Sequence, residues 1–395
     1  MPLSRLSNFV LLPDLKLVRV ERFTRWKRLF HCVKVSNFEV CHRCATPSSS
    51  TYDHRLVKIK DSPLRHSRVT LMIRKRRFWC KPCGKPFTES IQGVLPKRRT
   101  TQRFRTQVFW AAKTFSDLKL VRNTYHCSND FIYKALYEKL ELNRRMKLDP
   151  WPKSIGIDEH AFGKRKTMGT QRQFVSMIVD HSNKRLKEVV HGKSSGELKF
   201  ALNDIPGREN VTKVTCDLAD PYKSFAREFF PNAEVIADKF HVLRLLHPAI
   251  NRHRKEITGD RRSLRIRTLL LKNGKTLDYF TRKAIHDWLK SHPALNEVYQ
   301  WKERLHGLYR IRGYKRACIA YQYMLDDMAH SKLKEIKTLR RTLMRWKNEI
   351  LNYFRYRITN ARTEGYNNVA KVIKRRSYGF RNFENYRLRL LNACC

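Results

Sequence analysis

Two short apolar runs, each closed by an aspartate, constrain this chain more than any other feature. They are Ser154-Ile-Gly-Ile-Asp158 and Val211-Thr-Lys-Val-Thr-Cys-Asp217. Small and β-branched residues at that run length read as buried strands. In open α/β sheets, chemistry gathers outside the carboxyl ends of the strands. A lone aspartate there is commonly a turn cap, but two strands of one design point to a shared site. Neighbouring strands lie about 4.8 Å apart, so the two carboxylates can share one or two divalent cations. Glu159 follows Asp158 directly, and the two-residue period of a strand turns it to the opposite face.

The flanking pattern supplies a sheet for both runs. Gln173–Asp180 and Arg185–His191 read as strands joined at His181-Ser-Asn183, so that the first three strands form a meander ending at Asp158, Asp180 and His191. Ser194-Ser-Gly-Glu197 is a capping signal for a helix through Leu202, and Ala219-Asp-Pro221 opens a second helix to Phe230. Ala233–Ala237 is a fifth strand, and Asp238-Lys-Phe-His241 begins a long basic helix. Three antiparallel strands followed by two parallel ones with helical crossovers is the order of the RNase H-like α/β fold, a mixed five-stranded sheet. From about 245 to 350 the periodicity is helical throughout, broken near Asn273-Gly274 and His292-Pro293. A last long helix is expected over about 347–374, followed after Tyr378-Gly379 by a short basic tail ending in Cys394-Cys395.

Ahead of this lie two smaller patterns. Cys41-His-Arg-Cys44 and Cys80-Lys-Pro-Cys83-Gly84 are paired knuckles of a kind that points four thiolates at one tetrahedral zinc, a zinc ribbon. With ten cysteines and no secretory signal, reduced thiols and metal are expected rather than disulfides. His42 reads as a surface residue. Residues 1 to about 36 hold one or two short strands, and Thr51–Phe78 alternates as strands between the knuckles. Residues 100–145 are helical: Thr100 or Thr101 caps a helix to about Phe115, Ser116 begins a second, and Ser128-Asn-Asp130 caps a third. Three short helices with basic flanks suggest a helix-turn-helix whose third helix enters a DNA groove. Leu148-Asp-Pro-Trp-Pro152 breaks the pattern and marks a boundary.

The chain carries 84 Lys and Arg against 35 Asp and Glu, a formal charge of +49. The excess runs through Arg74–Arg77, Lys97–Arg99, Arg252–Arg267, Arg340-Arg341 and Lys374–Arg376. A polyanion is the natural partner, with nucleic acid first because phosphate neutralisation sets affinity. Charge alone does not separate DNA from ribosomal RNA. No apolar run approaches the roughly 20 residues of a membrane helix, and a cytoplasmic, nucleoid-associated bacterial protein is expected.

Phosphodiester chemistry at two aspartates calls for Mg²⁺, which takes hard oxygens and keeps part of its water. A third carboxylate must come from elsewhere. Physics alone leaves Glu256, Asp260, Asp278, Glu335, Glu349 and Glu364 open. Gly156-Ile-Asp158-Glu-His, Thr215-Cys-Asp217-Leu, Ala237-Asp238-Lys-Phe-His241-Val and Thr363-Glu364-Gly-Tyr-Asn-Asn, with the knuckles and the three helices before them, together resemble the bacterial insertion-sequence transposases of the ISL3 family. The resemblance extends from about residue 38 to about 390. It implies a DDE triad of Asp158, Asp217 and Glu364 holding two Mg²⁺ in an RNase H-like core, with an all-helical insertion before the glutamate. Asp238 and His241 match a C/D-x-x-H signature of related transposases and are expected beside the site. On a helix, Asn360, Asn367 and Lys371 are spaced to share the face of Glu364.

The implied layout is a zinc-ribbon domain (residues 1–98, Cys41, Cys44, Cys80 and Cys83 on Zn²⁺), a helix-turn-helix (99–149) and a catalytic domain (150–395) with its insertion at about 245–345. The implied activity is transposition: binding double-stranded DNA at terminal inverted repeats, cleaving there and transferring strands to target DNA, as a homodimer. Besides a ribosome-bound basic protein, which would have no reason to place acids at two strand ends, there are two rivals. One is a non-catalytic DNA-binding regulator derived from a transposase. The other is an RNase H-like structure-specific nuclease or junction resolvase.

Overall fold

The computed structural model describes residues 11–114, 117–145, 149–163, 173–259 and 265–394. Phe115, Ser116, Leu148, Asp260 and Cys395, singled out above, lie outside the described residues, as do residues 1–10. The chain divides into two compact units, Met1–Arg145 and Met146–Cys395. Among the described residues no helix is long and apolar enough to cross a membrane.

The first unit contains β1 (Leu15–Thr24), β2 (Lys27–Lys34), β3 (Glu39–Val40), β4 (Pro47–Ser48), β5 (Thr51–Leu64), β6 (Ser67–Cys80) and β7 (Lys85–Thr88). The main sheet has the order β1-β2-β6-β5, with β7 also on β6. Alternation decides its faces: Val69, Leu71 and Ile73 of β6 are buried with Ile59, Phe30 and Cys32. Three helices follow, α1 (Gln102–Thr114), α2 (Leu118–Tyr125) and α3 (Asn129–Arg145). Each start has a side-chain cap. The Thr101 hydroxyl accepts from the Phe104 N–H at 3.2 Å, Asp117 from Lys119 at 2.7 Å, and Ser128 from Phe131 at 3.2 Å. The second cap is thus Asp117, one residue after the serine start expected from sequence.

The second unit opens with β8 (Ser154–Ala161), β9 (Phe174–Asp180), β10 (Arg185–His191), α4 (Ser195–Leu202), β11 (Lys213–Cys216), α5 (Asp220–Phe229) and β12 (Glu234–Ala237). These strands form one five-stranded mixed sheet, β10-β9-β8-β11-β12. The first three are antiparallel to one another, and β11 and β12 run parallel to β8. The Ser194–Glu197 capping box is formed. One sheet face buries Ile155, Ile157, Val214 and Cys216 against Leu198, Leu202, Tyr222 and Phe225 of α4 and α5.

The strand carrying Asp158 does not end there. It continues to Ala161, because β9 keeps pairing with it through Ala161↔Phe174. Nor does a long helix follow Asp238. α6 (Lys239–Leu243) is one turn and a half, and α7 (His247–Thr258) starts anew. Pro248 sits in the first turn of α7, where its missing N–H costs nothing; further inside a continuous helix it would break the ladder. Helices α8 (Arg265–Leu271), α9 (Tyr279–Lys290), α10 (Pro293–Leu308), α11 (Tyr314–Ala329) and α12 (Lys334–Arg345) complete an all-helical block. Leu305, Tyr321, Ile336 and Leu343 lie in its own core.

The long helix expected over 347–374 is two helices, α13 (Lys347–Tyr356) and α14 (Ala361–Arg376). Arg357 closes α13 in the left-handed region, φ 57°, and its N–H returns to the Tyr353 carbonyl at 2.7 Å. α13 lies along β12, the Asn352 amide donating to the Val235 carbonyl at 2.9 Å. The basic tail is also ordered as a helix, α15 (Phe383–Ala393). Tyr386, Leu390 and Leu391 share one face and pack, with Ala370 of α14, on Val175, Met177 and Val179 of β9.

Candidate active site

Register brings the two aspartates together. Parallel pairing of β11 with β8 runs from Lys213↔Ser154 to Cys216↔Ile157. The next positions are Asp217 and Asp158, where β11 stops and β8 continues against β9 alone. The two-residue period sends Ile157 and Cys216 into the core under α5, and Gly156, Asp158, Thr215 and Asp217 to the face covered by α14. Glu159 lies on the other face, near the Tyr222 hydroxyl at 3.4 Å and the Lys193 ammonium at 3.8 Å.

Carboxylate oxygens of Asp158 and Asp217 and a ring nitrogen of His241 lie within 4.8 Å of one another. One Asp158 oxygen accepts from the Glu159 N–H at 2.7 Å, the other from the Asn367 amide at 2.6 Å. His241 Nδ1 is held by Asp238 at 3.0 Å and lies 2.9 Å from Asp217 Oδ1. The ring is directed at Asp238, so Asp217 Oδ1 is buried without a directed hydrogen bond among the described residues. Burial, and then the Asp217 charge beside it, pushes the Asp158 carboxyl up to about 7. Burial opposes a charge on His241, but the Asp217 and Asp238 carboxylates outweigh it and raise the imidazole to about 10.

Glu364 is placed differently. It is half-exposed in the first turn of α14, with Arg244 at 3.7 Å, and it is not among the atoms gathered around Asp158 and Asp217. The face expected from spacing is split. Asn360, Thr363, Asn367 and Ala370 turn inward to the sheet, whereas Glu364 and Lys371 lie outward, Lys371 reaching Asn368 at 3.4 Å. A helix packed on a sheet buries only one stripe, and its inner edge here is Asn360–Asn367.

Asn360 holds that stripe to the sheet. Its amide donates to the Ile157 carbonyl at 2.9 Å, its carbonyl oxygen accepts from the Thr215 hydroxyl at 2.6 Å, and its backbone N–H donates to Asp238 at 3.1 Å. The Thr215 hydroxyl also meets His181 at 2.9 Å. One buried amide thus spans the residue before Asp158, the residue two before Asp217, and the carboxylate that orients His241. Neither Thr215 nor His181 was assigned a role from sequence. The signal available was Gly156, since glycine inside a strand marks a close approach. A Cβ on Gly156 would fall 2.4 Å from Asn360 Oδ1 and 2.6 Å from His181 Nε2. Gly156→Ala is therefore expected to lower stability by about 1–3 kcal/mol as an overpacked core position. Urea unfolding checks this, and an unchanged midpoint would contradict the close packing at Asn360.

The donor set suits a divalent cation. It offers hard carboxylate oxygens, one of them without a directed hydrogen bond, and a carboxyl raised first by burial and then by the neighbouring Asp217 charge, which a cation would offset.

A second metal-type cluster lies in the first unit. The sulfurs of Cys41, Cys44, Cys80 and Cys83 are mutually within 4.8 Å, with Cys44 and Cys80 3.4 Å apart. Four thiolates about 2.3 Å from a tetrahedral zinc stand about 3.8 Å from one another, so the set fits that ion. Each knuckle is closed by a left-handed residue, Ala45 (φ 55°) and Gly84 (φ 60°). Phe78 and Phe87 pack beneath, and His42 is exposed, edge-on to Phe87.

Comparison with known proteins adds the following. Residues 155–390 match the profile of the ISL3-type DDE transposases. Over 367 residues, 90% of this chain and 88% of the relative, the sequence is 24% identical to the transposase for insertion sequence element IS1001 of Bordetella parapertussis. A stretch of 131 residues, 31% of this chain and 40% of the relative, is 30% identical to a protein named as an ATP-dependent protease in Lactococcus lactis subsp. lactis.

Proposed function

From the premise that this chain belongs to the ISL3-type family of DDE transposases, we propose that it binds the terminal inverted repeats of the insertion sequence encoding it. We further propose that it cleaves there and transfers the freed 3′-hydroxyls to target DNA, in a Mg²⁺-dependent reaction. The observation that most supports this reading is the register-matched pair Asp158 and Asp217, with His241 against it and an Asp217 oxygen that takes no directed hydrogen bond among the described residues.

In this reading the second unit is an RNase H-like core (150–395) with its helical insertion at about 245–345. Residues 1–98 are a zinc ribbon on Cys41, Cys44, Cys80 and Cys83, and 99–149 are a helix-turn-helix that reads double-stranded DNA. Two ends must be joined, so the working form is a homodimer on DNA, in the bacterial cytoplasm at the nucleoid.

Asp158, Asp217 and Glu364 would hold two Mg²⁺, which when bound neutralise the attacking and leaving oxygens of a phosphodiester. The protein's own part is positioning. Asn367 fixes the Asp158 carboxylate from α14. Asp238 orients His241, whose charge stands ready for a phosphate oxygen beside Asp217. Glu364 stands against Arg244 at 3.7 Å; to join the triad it would turn toward the aspartates, with a DNA phosphate taking its place at Arg244. Lys371, exposed on the same helix, meets the DNA backbone.

The test is excision from a plasmid carrying the gene with its native flanks, read by amplification across the junctions. Wild type is expected to yield junction products and Glu364→Gln none. Products from Glu364→Gln at the wild-type level would remove Glu364 from the triad. Sequence-specific binding to the flanks with no excision by wild type would favour the regulator. Cleavage governed by DNA structure without preference for the flanks would favour the nuclease.

A further inference from the structure

The edge hairpin of the first unit carries a surface that neither the knuckles nor the three helices account for. β1 and β2 meet in a tight turn, Thr24↔Lys27, that displays Arg25 and Trp26. β5 and β6 meet in another, Leu64↔Ser67, whose central residues Arg65 and His66 are both left-handed. β2 runs parallel to β6 with Lys27 opposite Arg68, and the Trp26 carbonyl accepts from the Arg68 N–H at 2.8 Å. Both turns therefore lie at one end of the sheet. Here Phe23 and Trp26 are 59% and 55% exposed, and Arg25, Arg28, Arg65 and Arg68 are all exposed. Glu21, the one acid of both hairpin strands and both turns, is occupied by His31 at 3.0 Å and Arg19 at 3.9 Å.

The aromatic rings already act as cation platforms. Arg25 lies 5.1 Å over Trp26, and Lys27 lies 4.6 Å over Phe23. An ordinary solvated charge face has no reason to expose two large rings among guanidinium groups. Cations interleaved with exposed rings suit a nucleic-acid strand, the cations taking phosphates and the rings taking bases or sugars. The same sheet end adjoins the joint before α3. Lys60, on β5, donates to the His126 carbonyl at 2.5 Å, and burial, then the Arg68 and Lys60 charges, disfavour a proton on that histidine.

We propose that this sheet end, Phe23 and Trp26 framed by Arg25, Arg28, Arg65 and Arg68, is a DNA contact separate from the helices. It would hold the phosphate backbone and stack Trp26 on an accessible base next to the DNA that α3 meets. The proposal rests on the reading of the chain as a DNA-handling transposase.

Full-length wild type, Trp26→Ala, Arg25→Ala/Arg28→Ala and Arg65→Ala/Arg68→Ala would be titrated by fluorescence anisotropy across a NaCl series. The probes are a duplex of the element's own flanking DNA, a scrambled duplex of equal length, and the flanking duplex with unpaired terminal nucleotides. Each arginine pair is expected to lower the log–log salt slope by about two on every probe, at about 0.9 per lost phosphate. Trp26→Ala is expected to weaken binding about tenfold, from stacking of about 1–3 kcal/mol per base, and most on the probe with unpaired ends. Wild-type zinc content and melting temperature in the variants exclude misfolding as the cause. Unchanged slopes and affinities would overturn the proposal. So would variants that alter only sedimentation, since β1 would then be an edge that pairs two copies of the chain. Should wild type bind no probe, the transposase reading fails; should wild type bind and all variants match it, only the sheet-end contact fails.

Discussion

Asp217→Asn is expected to abolish DNA cleavage while leaving DNA binding within about twofold of wild type, because the DNA-reading helices proposed for residues 99–149 are untouched. The substitution keeps the side chain's size, so the β8–β11 register and the His241 contact persist. It removes the carboxylate of this site whose buried oxygen takes no directed hydrogen bond among the described residues. If that oxygen is a metal ligand, its loss forfeits several kcal/mol of transition-state charge stabilisation, a fall in rate of about a thousandfold or more. Single-turnover nicking of a duplex carrying one element end reads the rate, and a gel shift on the same duplex reads binding. Nicking within tenfold of wild type would remove Asp217 from the chemistry. Equal loss of nicking and binding would mean that the residue serves the fold.

Cys80→Ser is expected to cost the first unit its zinc and, with it, the order of the knuckle end. Cys80 is 1% exposed and ends β6, so a zinc held there ties the long central strand to the β3–β4 pair. Structural zinc in small domains is worth about 10–16 kcal/mol at neutral pH, which matches or exceeds the whole stability of a typical domain at about 5–15 kcal/mol. The variant should lose stoichiometric zinc by elemental analysis and be cut rapidly by protease near residues 36–50 and 81–90. Chelation of wild type should reproduce that pattern. The cluster of Leu71, Ile73 and Ile59 does not include the knuckle, so strands β2, β5 and β6 should outlast it. A wild-type protein free of zinc, with protease resistance equal to that of Cys80→Ser, would refute the metal reading.

The two predictions rest on parts of the chain that were unequally legible. β-Branched alternation and caps are local signals, and they placed β9, β10 and β12, the Ser194–Glu197 box and the Thr101 and Ser128 helix starts within a residue or two. Cysteine spacing did the same for the knuckles, because two residues between thiols already dictate that both sulfurs converge. Helix ends inside the long basic segment were less legible. The same periodicity crosses Arg244–Leu246 and Arg357–Asn360, and the break at Arg357 rests on a left-handed backbone that an arginine does not announce.

What the sequence by itself determined is where most strands, the first three helices and the knuckles lie, and the two acids that follow matched apolar runs. These depend on neighbours one to four positions away, which a sequence displays. The tertiary structure alone decided that β8 runs past Asp158, that Asn360 joins both aspartate strands to Asp238, and that Glu364 stands outward against Arg244. Each of these depends on which edge of a strand still has a partner, or which stripe of a helix meets the sheet. Partners from 13 positions away, as Phe174 is from Ala161, to about two hundred, as Asn360 is from Ile157, settle that, and local pattern does not display them.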